Sequence, residues 1–255
     1  MPGLLENKAA IITGGGSGMG REIALRFAQE GARIMVFDCA EKDADKTVSM
    51  IEENGGSAGY VPLDISDSPG VHAAVRKTYE MFSRIDILVN CAGIFRTGTA
   101  GDISEAIWHK VMDVNLNGTF LCTKYVLPYM LEGGGGSIIN ISSEAGLVGI
   151  ENQVAYNTSK GAVIALTRST ALDYAAKGIR VNCVCPGRVR TPLVDKVIAD
   201  SQDPALEEKI LSSDRPMMRM GAAWEIANAC LIFAGDQIPY ATGSIFSVDG
   251  GYTAR

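Results

Sequence analysis

The sequence has no apolar run that approaches the roughly 18 consecutive residues of a membrane-spanning helix. It also lacks clustered lysine and arginine, and its formal net charge is −6, so the basic patch typical of nucleic-acid-binding proteins is missing. Residues 1–8 contain no basic region followed by an apolar core, so they do not resemble a secretory signal. These absences predict a cytoplasmic protein that acts on neither nucleic acid nor membranes.

Residues that commonly bind metals are scarce. The chain has two histidines and six cysteines, and the cysteines are scattered through apolar stretches. Cys183 and Cys185 stand two positions apart in a predicted strand, but no second ligand pair at metal spacing accompanies them. In a cytosolic protein such cysteines are more often buried thiols than disulfides. We therefore predict no metal site.

What is present is a regular alternation of short β-rich runs with longer helical patterns. The predicted strands are 9–13, 32–38, 57–63, 86–90, 137–141, 179–185 and 244–248. The predicted helices are 18–30, 41–54, 67–83, 104–131 with an interruption, 154–176 and 223–234. Such alternation forces parallel strands with helices on both faces. The expected fold is a single α/β domain over residues 1–255 with a doubly wound, Rossmann-type parallel sheet. Residues 191–216 are polar and irregular with helical fragments, and we expect them to form a lid over a ligand.

A glycine-rich turn, residues 13–20, separates the first predicted strand from the first helix. Glycine lets the backbone approach a pyrophosphate closely, and a helix N-terminus offers free N–H groups to an anion. The spacing is T-G-x-x-x-G-x-G and not the familiar G-x-G-x-x-G. A purely structural turn is the alternative, but its position predicts a nucleotide site.

Asp38 closes the second predicted strand, twenty positions after Gly18. A carboxylate at this place can accept hydrogen bonds from the ribose 2′-hydroxyl of NAD and would repel the 2′-phosphate of NADP. No basic residue replaces Ser17 in the turn, and Cys39 follows Asp38. We therefore predict NAD as the cofactor. The alternative for Asp38 is a solvated carboxylate at a strand end.

Tyr156 and Lys160 stand four apart in a predicted helix, so they share one face. Ser143 comes thirteen positions before Tyr156, just past the end of a strand. A tyrosine alone holds its proton too tightly to act as a base at neutral pH, and a nearby ammonium stabilises the phenolate. Such a tyrosine can exchange a proton with a substrate oxygen that a serine hydroxyl holds in place.

With these motifs the chain resembles the short-chain dehydrogenase/reductase family over nearly its whole length. Asn115 matches the family's fourth catalytic residue beside Ser143, Tyr156 and Lys160, and residues 90–93 match its Asn-Asn-Ala-Gly motif except at Cys91. The resemblance implies these cofactor-binding residues: Gly14, Ser17, Gly18, Met19, Gly20, Asp38, Asp64, Ile65, Asn90, Ala92, Gly93, Tyr156, Lys160, Pro186, Gly187, Val189 and Thr191.

The resemblance implies hydride transfer between NAD and a secondary alcohol or ketone, with Tyr156 as the acid or base. We expect Ser143, Leu147, Gln153 and Tyr156 to contact the substrate, which could be a hydroxysteroid or a small diol. A 3-oxoacyl-thioester reductase is the alternative enzyme, and an NAD-binding sensor or scaffold is the alternative without catalysis. The family resemblance also implies a homotetramer, with helices 104–131 and 154–176 packed between subunits.

Overall fold

A computed structural model describes residues 3–254 of the chain. In chain order its strands and helices are β1 (Ala9–Thr13), α1 (Gly18–Gln29), β2 (Arg33–Asp38), α2 (Glu41–Glu53), β3 (Ala58–Pro62), α3 (Ser68–Phe82), β4 (Ile87–Asn90), α4 (Glu105–Met112), α5 (Thr119–Glu132), β5 (Gly136–Ile141), α6 (Val154–Tyr174), β6 (Ile179–Pro186), β7 (Val189–Arg190), α7 (Pro192–Ala199), α8 (Pro204–Ser213), β8 (Gly221–Ala222), α9 (Ala223–Ala234) and β9 (Ile245–Val248).

Within residues 3–254, seven parallel strands form one sheet in the order β3-β2-β1-β4-β5-β6-β9. Successive side chains of β1 enter opposite cores: Ala10 and Ile12 pack with α1, α2 and α9, whereas Ala9 and Ile11 pack with α3 and α5. A strand covered on both faces is apolar throughout, and all five residues of β1 are buried. The predicted doubly wound α/β fold is confirmed.

The strand order reverses beside β1, because the chain leaves β3 at one edge and returns as β4 on the other side of β1. In open parallel sheets, ligands bind beyond the carboxyl ends of the strands at such a reversal. None of the helices within residues 3–254 combines the length and apolar character needed to cross a membrane. The same residues contain no cluster of three or more His, Cys, Asp or Glu side chains arranged to hold a metal ion.

The predicted interruption of helix 104–131 is a stretch of wide, π-helical turns at Asp113–Gly118, between α4 and α5. Residues 191–216 are more regular than their polarity suggested, since they form α7 and α8. Each of these helices begins with proline after a capping residue, Thr191 or Asp203, whose side chain accepts a backbone N–H of the first turn. The short pairing of β7 with β8 was not predicted.

Candidate active site

A cleft of about 400 Å³ opens beyond the carboxyl ends of β1, β2 and β4, at the reversal of strand order. Eleven of the predicted cofactor residues line it: Gly14, Ser17, Gly18, Met19, Gly20, Asp38, Asp64, Ile65, Ala92, Gly93 and Thr191. The structure therefore brings the glycine-rich turn, the end of β2 and the segment after β4 together around one space. A cleft of this volume lies within the range of small-molecule sites, and its place at the strand reversal is where nucleotides bind in such sheets.

The glycine-rich turn is fastened to the segment that follows β4. Thr13 Oγ1 accepts the backbone N–H groups of Cys91 and Ala92, each at 3.0 Å. Gly14 has φ +66°, and a Cβ at this position would lie 2.8 Å from the Ala92 Cα. Only glycine fits this approach without strain. Ser17, which precedes α1, makes no side-chain capping bond in the described structure, so the first N–H groups of α1 remain available to an anion.

The Asp38 carboxylate is held in the wall of the cleft by two backbone donors. Its Oδ2 accepts the N–H of Gly16 at 2.9 Å, and its Oδ1 accepts the N–H of Ala40 at 2.9 Å. The Arg21 guanidinium donates to Thr47 Oγ1 and to the Gly16 and Asp43 carbonyls. The end of β2 thus presents a fixed carboxylate to a ligand in the cleft.

Asp64 lies farther along the cleft and is joined by a residue that the sequence did not indicate. Asp64 Oδ1 accepts the N–H and Oγ–H of Ser66, and Oδ2 pairs with Lys110 Nζ at 3.1 Å. The Ser66 hydrogen bonds, with Lys110, hold the pKa of Asp64 below its usual value. Lys110 is on α4, 46 residues after Asp64, and lines the cleft. No local spacing reveals this contact.

Six predicted cofactor residues do not line the cleft in the described structure: Asn90, Tyr156, Lys160, Pro186, Gly187 and Val189. Asn90 is only 2% exposed. Its Nδ2 donates to Asn140 Oδ1 at 2.8 Å and to Thr123 Oγ1 at 3.2 Å, so the side chain joins β4 to β5 and α5 beneath the cleft. Cofactor binding by Asn90 therefore stays a prediction from the family resemblance.

Tyr156 and Lys160 lie on the first turns of α6, and Ser143 follows β5. Lys160 is 4% exposed; its Nζ donates to the Ile141 carbonyl at 2.9 Å and lies 5.7 Å from the centre of the Tyr156 ring. A Cβ placed on Gly93, in the cleft wall, would be 3.5 Å from the same Nζ. The ammonium therefore stands between the tyrosine, the end of β5 and the cleft.

The Ser143 turn packs directly on α6. Ser142 Oγ donates to the Lys160 carbonyl at 2.8 Å, as expected for a backbone-bonding residue at a strand end. Ser143 begins a short 3₁₀ turn, Glu144–Gly146, and its Oγ accepts the N–H of Ala145 at 3.1 Å. The Ser143 hydroxyl proton has no acceptor in the described structure, which leaves it available to a substrate oxygen.

Asn115 lies in the π-helical stretch and links two parts of the site. Its Oδ1 accepts the N–H of Ile94 at 2.8 Å, and its Nδ2 donates to the Ile94 carbonyl and to Ser159 Oγ, each at 3.0 Å. The side chain thus ties the segment after β4 to α6 next to Lys160. Asn115, Tyr156 and Lys160 are connected through these contacts, and Ser143 is linked to them through the bond of its neighbour Ser142 to Lys160.

Apolar side chains stand on the open side of Tyr156. The Phe95 ring meets the Tyr156 ring edge-on, with centres 5.1 Å apart and planes at 83°. Phe95 is 39% exposed, and Leu147, at the end of the Ser143 turn, is 40% exposed. Gln153 is half-buried, and its backbone pairs with Gly98 just beyond Phe95.

Known proteins share this architecture. A family model described as enoyl-(acyl carrier protein) reductase matches residues 14–253. The crystal structure of a Burkholderia xenovorans protein, described as a short-chain dehydrogenase/reductase, matches with a TM-score of 0.95 and 39% sequence identity over 99% of each chain. This protein is a short-chain dehydrogenase/reductase. It is therefore an oxidoreductase, and members of this family use a nicotinamide cofactor, NAD or NADP.

Relatives of this short-chain dehydrogenase/reductase carry names for different substrates. The chain is 37% identical to 2-(S)-hydroxypropyl-CoM dehydrogenase 3 of Xanthobacter autotrophicus over the full length of both. It is also 37% identical to the 3-oxoacyl-(acyl-carrier-protein) reductase of Thermotoga maritima, over 97% of this chain and 98% of that protein. The family assignment thus establishes oxidoreduction and leaves the substrate to be argued from the site.

Proposed function

We propose that this short-chain dehydrogenase/reductase interconverts a secondary alcohol and a ketone with NAD. The observation that carries the proposal is the position of Lys160 Nζ, which lies near the Tyr156 ring, donates to the end of the strand just before Ser143 and comes close to Gly93 in the cleft wall. The nicotinamide, when bound, accepts or returns a hydride at the carbon that bears the substrate oxygen. The residues of the chain then have to hold that oxygen and move its proton.

Each of the three side chains has a separate task in this proposal. The Ser143 hydroxyl donates a hydrogen bond to the substrate oxygen and stabilises the charge that develops on it. The Tyr156 hydroxyl takes the alcohol proton during oxidation and returns one during ketone reduction. The Lys160 ammonium places a positive charge 5.7 Å from the centre of the Tyr156 ring. Asn115 holds Ser159 and the Ile94 segment, so it keeps α6 in register with the cleft.

The geometry of Asp38 supports NAD over NADP. Two backbone N–H groups fix its carboxylate at the end of β2, where it can accept hydrogen bonds from ribose hydroxyls. A 2′-phosphate there would face a like charge. The Arg21 guanidinium donates to Thr47 Oγ1 and to the Gly16 and Asp43 carbonyls, and its charge is paired with the Asp43 carboxylate at 3.9 Å, which leaves less of that charge to attract a 2′-phosphate.

Two exposed apolar side chains, Phe95 packed on Tyr156 and Leu147 at the end of the Ser143 turn, support the proposed substrate class. Phe95 and Leu147 favour a medium-sized, partly apolar alcohol, and both a hydroxysteroid and a small diol fit this description. The Xanthobacter autotrophicus relative is named for a hydroxypropyl substrate, which is a secondary alcohol. A 3-oxoacyl-thioester reductase is the second candidate, favoured by the relative from Thermotoga maritima. The net charge of −6 argues against docking of an acidic acyl carrier.

A panel assay tests the proposed function. The pure protein is incubated with NAD⁺ or NADP⁺ and with small diols, sugars, hydroxyacyl thioesters and hydroxysteroids, and nicotinamide reduction is followed by absorbance. We expect turnover with NAD⁺ on a diol or a hydroxysteroid. Turnover confined to acyl thioesters with NADP(H) would establish the second candidate. Silence across the panel with intact NADH binding would favour the NAD-binding sensor.

Cofactor choice is tested separately at Asp38. Asp38→Ala removes the acceptor for the ribose hydroxyls, so we expect kcat/KM for NAD⁺ to fall about ten-fold, the usual size of the loss of a charged hydrogen bond. It also removes the charge that repels a 2′-phosphate, so we expect kcat/KM for NADP⁺ to rise. Asp45→Asn, which neutralises an exposed acid of α2, is the matched control and should leave both values unchanged. An unaltered NAD⁺/NADP⁺ ratio in Asp38→Ala would contradict the assignment.

A further inference from the structure

A buried ion pair lies directly beside the proposed substrate-holding serine. Glu144 is the residue after Ser143, and its Oε1 contacts Nη2 of Arg215 at 2.5 Å, across 71 positions of sequence. Their side chains are 7% and 2% exposed. Charged side chains that are this deeply buried are rare in proteins unless an opposite charge lies beside them. The pair joins the Ser143 turn to the stretch that follows α8.

Two further segments close around the Glu144–Arg215 pair. A Cβ on Gly187, just after β6, would lie 2.8 Å from Glu144 Oε2 and 2.7 Å from the Asp249 Cα. The Arg215 guanidinium stacks over the Tyr252 ring at 4.3 Å. The pair thus holds four segments in contact: the Ser143 turn, the end of β6, the end of 191–216 and the C-terminal turn.

The hydrogen bonds of this pair are incomplete. In the described residues, Glu144 Oε2 and Arg215 Nε are buried without a hydrogen-bond partner, while Arg215 Nη1 lies 3.2 Å from the partly exposed Asp214 Oδ2. Burial raises the pKa of Glu144 to about 7, because desolvation outweighs the attraction of Arg215. A half-satisfied buried ion pair adds little to stability compared with apolar packing of the same volume. Stability therefore does not explain its presence next to Ser143.

We propose that the Glu144–Arg215 pair is a positioning pair, which fixes the Ser143 turn relative to the end of β6 and the segment 191–216 during the reaction. Neither side chain touches the reacting atoms. The Glu144 carbonyl accepts the N–H groups of Leu147 and Val148, so the placement of Glu144 sets the whole turn on which Ser143 lies. This inference rests on the role of Ser143 in the proposed function.

Steady-state kinetics tests the proposal with the substrate that the panel identifies. For Glu144→Gln we expect kcat to fall at least ten-fold, with the KM of the alcohol and the Kd of NADH within three-fold of wild type. Arg215→Met also removes the ion pair of Arg215 Nη1 with Asp214 Oδ2 at 3.2 Å, so it should lose at least as much, and the double variant should be no slower than Arg215→Met. Arg215→Lys, which can still pair with Glu144, should recover most of the kcat.

The matched control is Glu225→Gln. It breaks the Arg219–Glu225 pair, which lies a few residues farther along the chain and is partly exposed. We expect this variant to keep the kcat of wild type. An equal loss in Glu225→Gln would mean that any disturbed ion pair in this region slows the enzyme, and it would overturn the proposal.

Hydrogen exchange tests the positioning without turnover. In Glu144→Gln the amide protons of Ala145, Leu147 and Val148 should exchange at least ten times faster than in wild type, and in Glu225→Gln they should not. A Glu144→Gln enzyme with kcat within two-fold of wild type, or with unchanged exchange at these amides, overturns the inference. Failure of the proposed function would instead appear as a wild-type protein without turnover, and exchange would still decide the positioning role.

Discussion

Tyr156→Phe is expected to lower kcat by about 10²–10⁴-fold, the usual contribution of a positioned proton donor or acceptor. Phenylalanine keeps the ring that packs on Phe95 and lies near Lys160 Nζ, so only the hydroxyl is lost. The Kd of NADH should therefore stay within about three-fold of wild type. Single-turnover absorbance measurements with NAD⁺, together with NADH fluorescence titration, separate the chemical step from binding.

Tyr125→Phe is the matched control for this substitution. The Tyr125 hydroxyl bonds to Ser68 Oγ at 2.8 Å, between α5 and α3 and away from the cleft. Its loss should leave kcat unchanged. A Tyr156→Phe enzyme that keeps more than a tenth of the wild-type kcat would mean that another group moves the proton, and the assignment of the site would then be wrong.

The fold could be predicted because its information is local. Each strand of the main sheet is a short apolar run, and polar or glycine residues separate it from an amphipathic helix. The two-sided burial of β1 follows directly from this pattern, since a strand with helices on both faces has no polar side. The helices of segment 191–216 are more difficult to predict from the sequence, because their N-termini, at Thr191-Pro192 and Asp203-Pro204, lie in a polar stretch.

The candidate site could be predicted only where its residues are close in sequence. Tyr156 and Lys160 are one helical turn apart, and the glycine-rich turn is contiguous. The contacts of Lys110 with Asp64 and of Arg215 with Glu144 could not be predicted, because the partners lie 46 and 71 positions apart in the sequence. Only the folded chain brings Arg215 against the residue after Ser143, through the return of the chain from α8 to the C-terminal turn.

Stability should depend on pH through Glu144. In the folded protein its pKa is raised from 4.5 to about 7, since desolvation and the nearby Asp249 and Asp214 outweigh Arg215 and Arg188. A raised carboxyl pKa means that the folded state binds the proton more tightly than the unfolded chain does. The stabilisation that the folded state gains from the proton on Glu144 is complete below pH 4.5 and is lost as the pH rises through 7.

The expected size follows from the two pKa values. Between pH 5 and pH 8 the free energy of unfolding of wild type, relative to that of Glu144→Gln, should fall by roughly 1–4 kcal/mol. Urea unfolding of both proteins at the two pH values measures the difference. Glu225→Gln is again the control. The Arg219 hydrogen bond lowers the pKa of Glu225 to about 2, so the difference in stability between wild type and Glu225→Gln should hardly change between pH 5 and pH 8.

If the stability of wild type relative to Glu144→Gln stays constant or rises between pH 5 and pH 8, then Arg215 keeps Glu144 ionised throughout, and the raised pKa is wrong.

The expected fall in the relative stability of wild type has a consequence for the enzyme. The raised pKa means that the ionised Glu144 stabilises the folded protein less than the protonated Glu144 does, although the ionised form is the one that pairs with Arg215 and holds the Ser143 turn. We therefore expect Glu144→Gln to have a lower kcat than wild type. We also expect its free energy of unfolding, measured relative to that of wild type, to be higher at pH 8 than at pH 5. This combination is expected where a site keeps an unfavourable buried charge for function.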